Sequence, residues 1–139
     1  MNGKNAAYAR IVFIVYVVIL LTITAIRPWV TYHFMDGRLN TSLFTLYKFV
    51  IDDGALRFVY LFFGNILWFV PFGYYCVSYA KKSIGLTVLM GLGLSLLIET
   101  LQFVLGTGIS EVDDLILNTL GCLIGALIAR VTHKGSKTN

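Results

Sequence analysis

Four long apolar runs, separated by polar breaks, divide the sequence. They extend from Ile11 to Ile26, from Phe58 to Tyr79, from Ser83 to Leu105 and from Asp114 to Val131. A transmembrane helix needs about 20 mostly apolar residues to cross the hydrocarbon core of a bilayer. The pattern therefore predicts an all-α membrane protein with four transmembrane helices, which form a single domain over residues 1–139.

Composition agrees with this pattern. Hydrophobic residues make up 58% of the chain and charged residues only 13%, whereas soluble domains carry roughly 25% charged residues. The mean hydropathy is +0.80. These values exclude an ordinary soluble domain.

The longest polar break lies between the first two spans, at 27–57, and mixes bases, acids and aromatic residues too evenly to span a bilayer. Within it, we expect Phe44–Val50 to form a short interfacial or re-entrant helix, with Lys48 reaching the headgroups. The first span has the basic flank of a signal peptide but no small-x-small cleavage site after it. We therefore expect it to remain as a signal anchor.

The Lys and Arg residues of the short flanks predict the orientation, because cytoplasmic flanks carry an excess of them. They fall in both terminal tails and in the turn between spans two and three: Lys4, Arg10, Lys81, Lys82, Arg130, Lys134 and Lys137. The turn "GTGISEVDD" between spans three and four has acids and no base. The pattern places both termini in the cytoplasm and makes the long first loop extracellular. The net charge of +4 reflects this bias and requires no nucleic-acid partner.

Polar side chains recur at helical spacing on the later spans. They are Asn65 on span two, Ser95, Glu99 and Gln102 on span three, and Asp114 and Asn118 on span four. Residues three, four or seven apart share one helix face, and the short turn makes the last two spans antiparallel neighbours. At about 1.5 Å per residue, Asn65, Glu99 and Asn118 lie within about 10 Å of the outer surface. Because a carboxylate among lipid tails costs a few kcal/mol, we expect Glu99 to face a polar pocket.

Structural roles are alternatives for part of this set. The amides often serve only as hydrogen-bonding groups between membrane helices. Glu111 and Asp113 fit solvated turn residues, and Asp114 fits an N-cap of the fourth helix. Pro71 either kinks the second span or exposes a backbone carbonyl to the pocket.

The remaining reactive residue types predict no catalytic or metal centre. Cys76 and Cys122 belong to different spans and are expected to be small packing residues without a disulfide. His33 and His133 fall on opposite sides of the membrane, and neither has a partner at metal-ligand spacing. No zinc, phosphate-loop or nucleophile motif is present, so no cofactor is expected.

Three motifs occur in order over the last 80 or so residues: "GNILWFVPFG" at 64–73, "IETLQFVLGTG" at 98–108 and "SEVDDLILNTLGCLIG" at 110–125. Together they closely resemble the VanZ-like membrane proteins. The positions that match the family pattern are Asn65, Pro71, Gly73, Glu99, Gln102, Glu111, Asp114, Asn118 and Gly121.

The first loop resembles the family more loosely. "GRLNTSLF" supplies Arg38 and Asn40, but Leu43 stands where the family often has a proline. An arginine that many members carry before the acidic turn has no counterpart at Gly108 or Ile109. If that arginine binds an anion, Arg38 would do so here.

The resemblance implies a protein of the bacterial cell membrane that gives low-level resistance to teicoplanin and related lipoglycopeptides. It implies none of the target-altering chemistry of the better-known resistance enzymes. The candidate binding pocket consists of Arg38, Asn40, Asn65, Glu99, Gln102, Glu111, Asp114 and Asn118.

Three functions fit these residues. In the first, which we favour, the pocket binds a membrane lipid headgroup, a lipid-linked peptidoglycan precursor or the lipoglycopeptide itself. Arg38 or Arg57 of the first loop would hold a phosphate. In the second, the protein is a membrane-embedded enzyme in which Glu99 and Asp114 act as acid and base on an envelope lipid. In the third, the spans dock other membrane proteins. The sequence does not define the oligomeric state.

Overall fold

The computed structural model describes residues 3–26, 37–43 and 55–135. The predicted interfacial segment Phe44–Val50 lies outside the described residues, as does His33. In chain order the elements are α1 (Gly3–Leu21), a π-helical segment (Thr22–Ile26), β1 (Arg38–Asn40), α2 (Ala55–Ser78), α3 (Ile84–Leu105), β2 (Ile109–Glu111) and α4 (Val112–Gly135).

Within the described residues, four helices are long and apolar enough to cross a membrane, which confirms the predicted spans. They cover Asn5–Ile26, Phe58–Ser78, Ile84–Leu105 and Val112–Thr132. The protein is therefore an all-α, multi-pass membrane protein. Its described residues also form one two-stranded β-ribbon.

The helices run in alternating directions. α1 and α3 run one way, because the end of α1 contacts the end of α3. α2 and α4 run the other way, because both begin on the side where β1 and β2 lie. We call that side the ribbon end. The opposite side, where α1 begins and α4 finishes, is the termini end.

Local signals delimit α3 clearly. Ser83 is its N-cap and accepts a hydrogen bond from the Leu86 N–H at 3.3 Å, which satisfies one of the open N–H groups of the first turn. Gly106 is its C-cap at φ 62°, a left-handed conformation that glycine adopts without a steric penalty. At the termini end, Lys81 adopts φ 56° in the turn after α2. Its ammonium group donates to the Ser78 carbonyl at 2.6 Å.

α2 and α4 pack backbone to backbone through glycines. A Cβ placed on Gly121 would lie 2.1 Å from the Ile66 carbonyl oxygen, and one on Gly125 would lie 2.0 Å from that of Val70. Small residues allow this approach in a membrane, where hydrophobic exclusion does not drive helix association. The "GCLIG" motif is thus a close-packing surface, and its glycines face α2.

The two cysteines pack inside the bundle. Cys76 and Cys122 are free thiols and are both buried. The Cys122 thiol donates to the Thr87 carbonyl at 3.3 Å, and it would lie 2.6 Å from a Cβ on Gly91. Both residues are therefore buried packing residues, as predicted, and Cys122 fills a tight crossing between α4 and α3.

α1 contacts α2 mainly through aromatic side chains. The Phe13 ring stacks on that of Tyr75 with centroids 3.8 Å apart, and the Tyr16 hydroxyl donates to the Trp68 carbonyl. Pro71 is exposed and lines a groove between these two helices at the termini end. Whether Pro71 kinks α2 or opens a backbone carbonyl to the polar pocket stays a prediction.

Candidate functional site

A short parallel ribbon covers one end of the bundle. β1, from the first loop, pairs with β2, from the turn before α4, so that Arg38 lies opposite Ile109 and Asn40 opposite Glu111. Gly37 positions β1 on α3: a Cβ there would lie 2.1 Å from the Phe103 carbonyl oxygen. Only glycine permits this approach of the first loop to α3.

Glu99 connects α3 to the ribbon. Its side chain is only 7% exposed, and its Oε2 accepts a hydrogen bond from the Glu111 backbone N–H at 2.9 Å. The Glu99 carbonyl accepts from the Ser110 hydroxyl at 2.7 Å. Hydrogen bonds from N–H groups to a carboxylate are stronger than neutral ones, so this carboxylate holds β2 against the end of α3.

Glu111 extends the connection to the first loop. Its Oε1 accepts from the Asn40 side-chain amide at 3.3 Å, while the Asn40 Oδ1 accepts from the Ser42 N–H at 3.1 Å. The last contact closes an Asx turn, in which a side chain replaces a backbone acceptor. Asn40, Glu111 and Glu99 thus form a continuous hydrogen-bonded path from β1 into the bundle.

Asp114 lies in the first turn of α4 and accepts a hydrogen bond from the Asn65 amide of α2. The helix begins at Val112, so Asp114 is not its N-cap, contrary to the sequence-based alternative. A carboxylate in the first turn is still stabilised by the positive end of the helix dipole. Asp113 is buried, with 4% of its surface exposed, so its interpretation as a solvated turn residue is also wrong.

Gln102 joins α3 to the π-helical segment of α1. Its Nε2 donates to the Thr24 carbonyl at 2.8 Å, and nearby the Thr107 hydroxyl donates to the Ala25 carbonyl at 2.8 Å. Gln102 is 3% exposed, and its Oε1 has no hydrogen-bond partner among the described residues. A buried acceptor without a donor is unfavourable by about 1–3 kcal/mol, which favours a bound group that can donate.

Asn118 reaches the other neighbour of α4. Its amide donates to the Ser95 hydroxyl on α3 at 2.8 Å, and both residues are buried. The face predicted for α3 is thus observed, since Gly91, Ser95, Glu99 and Gln102 all lie inside the bundle.

These side chains surround one small cavity, which we call the polar cavity. The space open to water inside it is about 30 Å³, more than the roughly 10–15 Å³ that one bound water requires. Its lining combines two carboxylates, three amides and a few apolar groups: Thr24, Asn65, Trp68, Phe69, Ile98, Glu99, Gln102, Asp114 and Asn118. The cavity offers mostly hydrogen-bond acceptors and suits a small group with N–H or O–H donors.

A larger apolar groove lies beside the polar cavity and shares Glu99 with it. This side groove has a volume of about 270 Å³ and is lined by Leu39, Leu96, Glu99, Thr100, Phe103, Ser110, Glu111, Val112 and Leu115. Leu39 and Leu96 are 64% and 47% exposed, so the groove opens on the surface of the bundle. Two carboxylate residues therefore border an apolar channel at its ribbon end.

The structure brings most of the predicted site residues together. Asn65, Glu99, Gln102, Asp114 and Asn118 line the polar cavity. Asn40 and Glu111 lie in the ribbon beside it. Arg38 lies further away: its side chain is exposed and forms no hydrogen bond or ion pair with the described residues. Whether the set binds a ligand stays a prediction.

Sequence reasoning missed other residues of the site. Thr24 contributes through a backbone carbonyl that the π-helical segment presents to Gln102, and no residue type signals that. Trp68 and Ser110 fall inside the quoted motifs and were detectable as polar groups next to the stripe. Among the described side chains, no group of three His, Cys, Asp or Glu residues is placed to hold a metal ion.

Comparison with known proteins gives one match. The family model VanZ/LLP1 matches residues 11–133. No curated protein matches, and no solved structure matches.

Proposed function

Because the chain belongs to the VanZ/LLP1 family, and because an apolar groove meets a polar cavity at the ribbon end, we propose that the protein binds a lipid or lipid-anchored molecule of the bacterial cell envelope there. Its ligand is a membrane lipid headgroup, a lipid-linked peptidoglycan precursor or the lipoglycopeptide drug. Binding of this kind would underlie low-level resistance to teicoplanin and related drugs, as the resemblance to VanZ-like proteins implies.

The single observation that carries this proposal is the shared position of Glu99. It lines both the polar cavity and the side groove. A molecule with one acyl chain and one polar head matches this pair of sites. Its chain fits the apolar side groove, and its head finds hydrogen-bond partners in the polar cavity. Burying apolar chain contributes about 0.8 kcal/mol per CH₂ group, and the polar residues select the head.

The charges support an extracellular position for the ribbon end. All acidic residues of the described chain lie there: Glu99, Glu111, Asp113 and Asp114. Among the described basic residues, Arg10, Lys81, Lys82 and Arg130 lie at the termini end, whereas Arg38 and Arg57 lie at the ribbon end. By the positive-inside rule, the termini are cytoplasmic and the site faces the outer leaflet, where cell-wall precursors and drug meet the membrane.

A matched pair of substitutions tests binding in the side groove. Leu96 lines the groove and is 47% exposed, whereas its neighbour Leu97 is 48% exposed and lies outside the lining. Native mass spectrometry of the purified proteins should find equal numbers of bound lipids on the wild type and Leu97→Trp, and one lipid fewer on Leu96→Trp. Equal lipid on all three proteins would contradict the site, and co-purifying proteins without lipid would favour a docking role instead.

Resistance supplies the second readout. Expression in a susceptible host should raise the teicoplanin concentration that stops growth for the wild type and Leu97→Trp, but not for Leu96→Trp at equal protein levels. If Leu96→Trp gives full protection, the groove has no role in resistance even where it binds lipid.

One observation favours the enzyme as a second candidate, because Glu99 and Asp114 line the same small cavity, which is large enough to hold water. An acid and a base beside one water are the minimum for hydrolysis. Glu99→Gln keeps the size and hydrogen-bonding capacity of the side chain but cannot exchange a proton in the same way. If resistance survives this change with normal protein levels, acid–base catalysis at Glu99 is excluded.

A further inference from the structure

A second groove lies at the opposite end of the molecule, between α1 and α2. It has a volume of about 870 Å³, within the range of about 300–1,000 Å³ typical of small-molecule sites. Five of the residues that line it are tyrosines: Tyr8, Tyr16, Tyr74, Tyr75 and Tyr79. We call it the tyrosine groove. It shares no residue with the polar cavity or the side groove.

The groove has the length of one membrane leaflet. On α2 its lining extends from Val70 to Tyr79, which corresponds to about 13 Å at 1.5 Å per residue. Half of a hydrocarbon core of about 30 Å is about 15 Å. A lipid chain from one leaflet matches this length, whereas a transmembrane helix of a partner would need a surface along the whole bundle.

The polarity of the groove changes along this length. Its deep part is formed by Phe13, Tyr16, Val70 and Pro71, and the Tyr16 hydroxyl there already donates to the Trp68 carbonyl. Asn5 and Tyr79 lie at its mouth at the termini end. Tyrosine is enriched where membrane proteins meet the headgroup layer. The gradient therefore matches a molecule with an apolar tail and a polar head at the membrane surface.

The charge at the mouth favours an anionic head. Lys82 is exposed and follows Tyr79 by three residues, while the Lys81 ammonium caps the Ser78 carbonyl. Arg10 and Arg130 add positive charge at the same end, and no acidic residue of the described chain lies there. A lipid phosphate is thus attracted to this end of the bundle.

From these observations we propose that the tyrosine groove binds an anionic glycerophospholipid, whose acyl chain lies between α1 and α2 and whose phosphate is held near Lys82. This site is separate from the ribbon-end site and serves a lipid of the opposite leaflet. It holds α1, which otherwise contacts α2 through few side chains, against the rest of the bundle.

The first experiment tests the preference for an anionic headgroup. The delipidated protein is titrated in detergent with phosphatidylglycerol, and bound lipid is counted by native mass spectrometry. Phosphatidylcholine is the comparison without net charge. One phosphatidylglycerol should bind with preference, and Lys82→Gln should reduce that preference about fivefold, the effect of one lysine near an anionic surface. Arg130→Gln removes a positive charge at the same end, but on α4, which contributes no residue to the groove lining, so it should reduce the preference less. No preference in the wild type, or equal losses in both variants, would overturn the proposal.

A second pair of substitutions tests the position of the chain. Val12 and Ile14 are 65% and 55% exposed on α1, but only Val12 lines the groove. Val12→Trp fills the groove and should abolish tight binding of phosphatidylglycerol, while Ile14→Trp should retain it. Retention by Val12→Trp would place the lipid elsewhere. If Val12→Trp does not fold, the exposed Lys82→Gln change still tests the site independently.

Discussion

The substitution Gly121→Ala tests whether direct contact between α2 and α4 maintains the polar cavity. An added Cβ would lie 2.1 Å from the Ile66 carbonyl oxygen, whereas ordinary contact begins at 3.4 Å. The two helices would have to separate by about 1.3 Å (3.4 − 2.1) at this crossing. The neighbouring residue Asn65 donates to Asp114 across the same pair of helices, so the separation would stretch that hydrogen bond as well.

Gly93→Ala is the matched control, because a Cβ at Gly93 on α3 would meet no atom within 4 Å. Both changes gain the same helix propensity, about 1 kcal/mol for glycine to alanine in a helix interior. That gain cancels in the comparison. What remains is the overpacking at Gly121, about 1–3 kcal/mol, because a backbone carbonyl cannot rotate away as a flexible side chain does.

We therefore expect Gly121→Ala to have an unfolding free energy about 1–3 kcal/mol below that of Gly93→Ala. The measurement is equilibrium unfolding by sodium dodecyl sulfate in mixed micelles, followed by circular dichroism. Equal stability of the two variants, or greater stability of Gly121→Ala, would refute the close helix contact and with it the geometry of the polar cavity.

Three further predictions follow from single contacts. Ser95→Ala removes the acceptor of the buried Asn118 amide and should lower the unfolding free energy by about 0.6–1.7 kcal/mol; adding Asn118→Leu should restore stability, because an apolar pair leaves no unsatisfied donor. Gly37→Ala clashes with the Phe103 carbonyl and should speed hydrogen exchange of the β2 amides, whereas unchanged exchange would show that β1 does not rest on α3. Lys81→Gly relieves a positive φ and should raise the thermal midpoint, whereas a lower midpoint would show that the lost contact with the Ser78 carbonyl contributes more than the backbone strain costs.

Features that depend on local sequence were predictable. The four spans follow from apolar runs of adequate length, and the buried face of α3 follows from the three- and four-residue spacing of Ser95, Glu99 and Gln102. The meeting of α3 and α4 follows from the short turn between them. These inferences use only helix geometry and the thickness of a bilayer.

Features that depend on distant pairing were not predictable. The ribbon joins Asn40 and Glu111, which are 71 positions apart, and three-residue strands carry too little pattern to reveal it. The burial of Asp113 was not predictable either, because acids in a turn are usually solvated. The π-helical segment follows from the docking of Thr24 and Ala25 against α3, which no local signal reports.

The parallel ribbon also determines at which stage of synthesis the ribbon-end site can form. Its two strands flank α2 and α3 in the sequence. β1 therefore cannot pair with β2 until both intervening helices have been synthesised and inserted. At about 5–20 residues per second, the 71 positions between Asn40 and Glu111 correspond to roughly 4–14 s of translation. Every shorter nascent chain lacks Glu111, Asp114 and Asn118. The ribbon-end site therefore forms in one late step of biogenesis. A chain that stalls before α4 cannot form either the ribbon or the complete polar cavity.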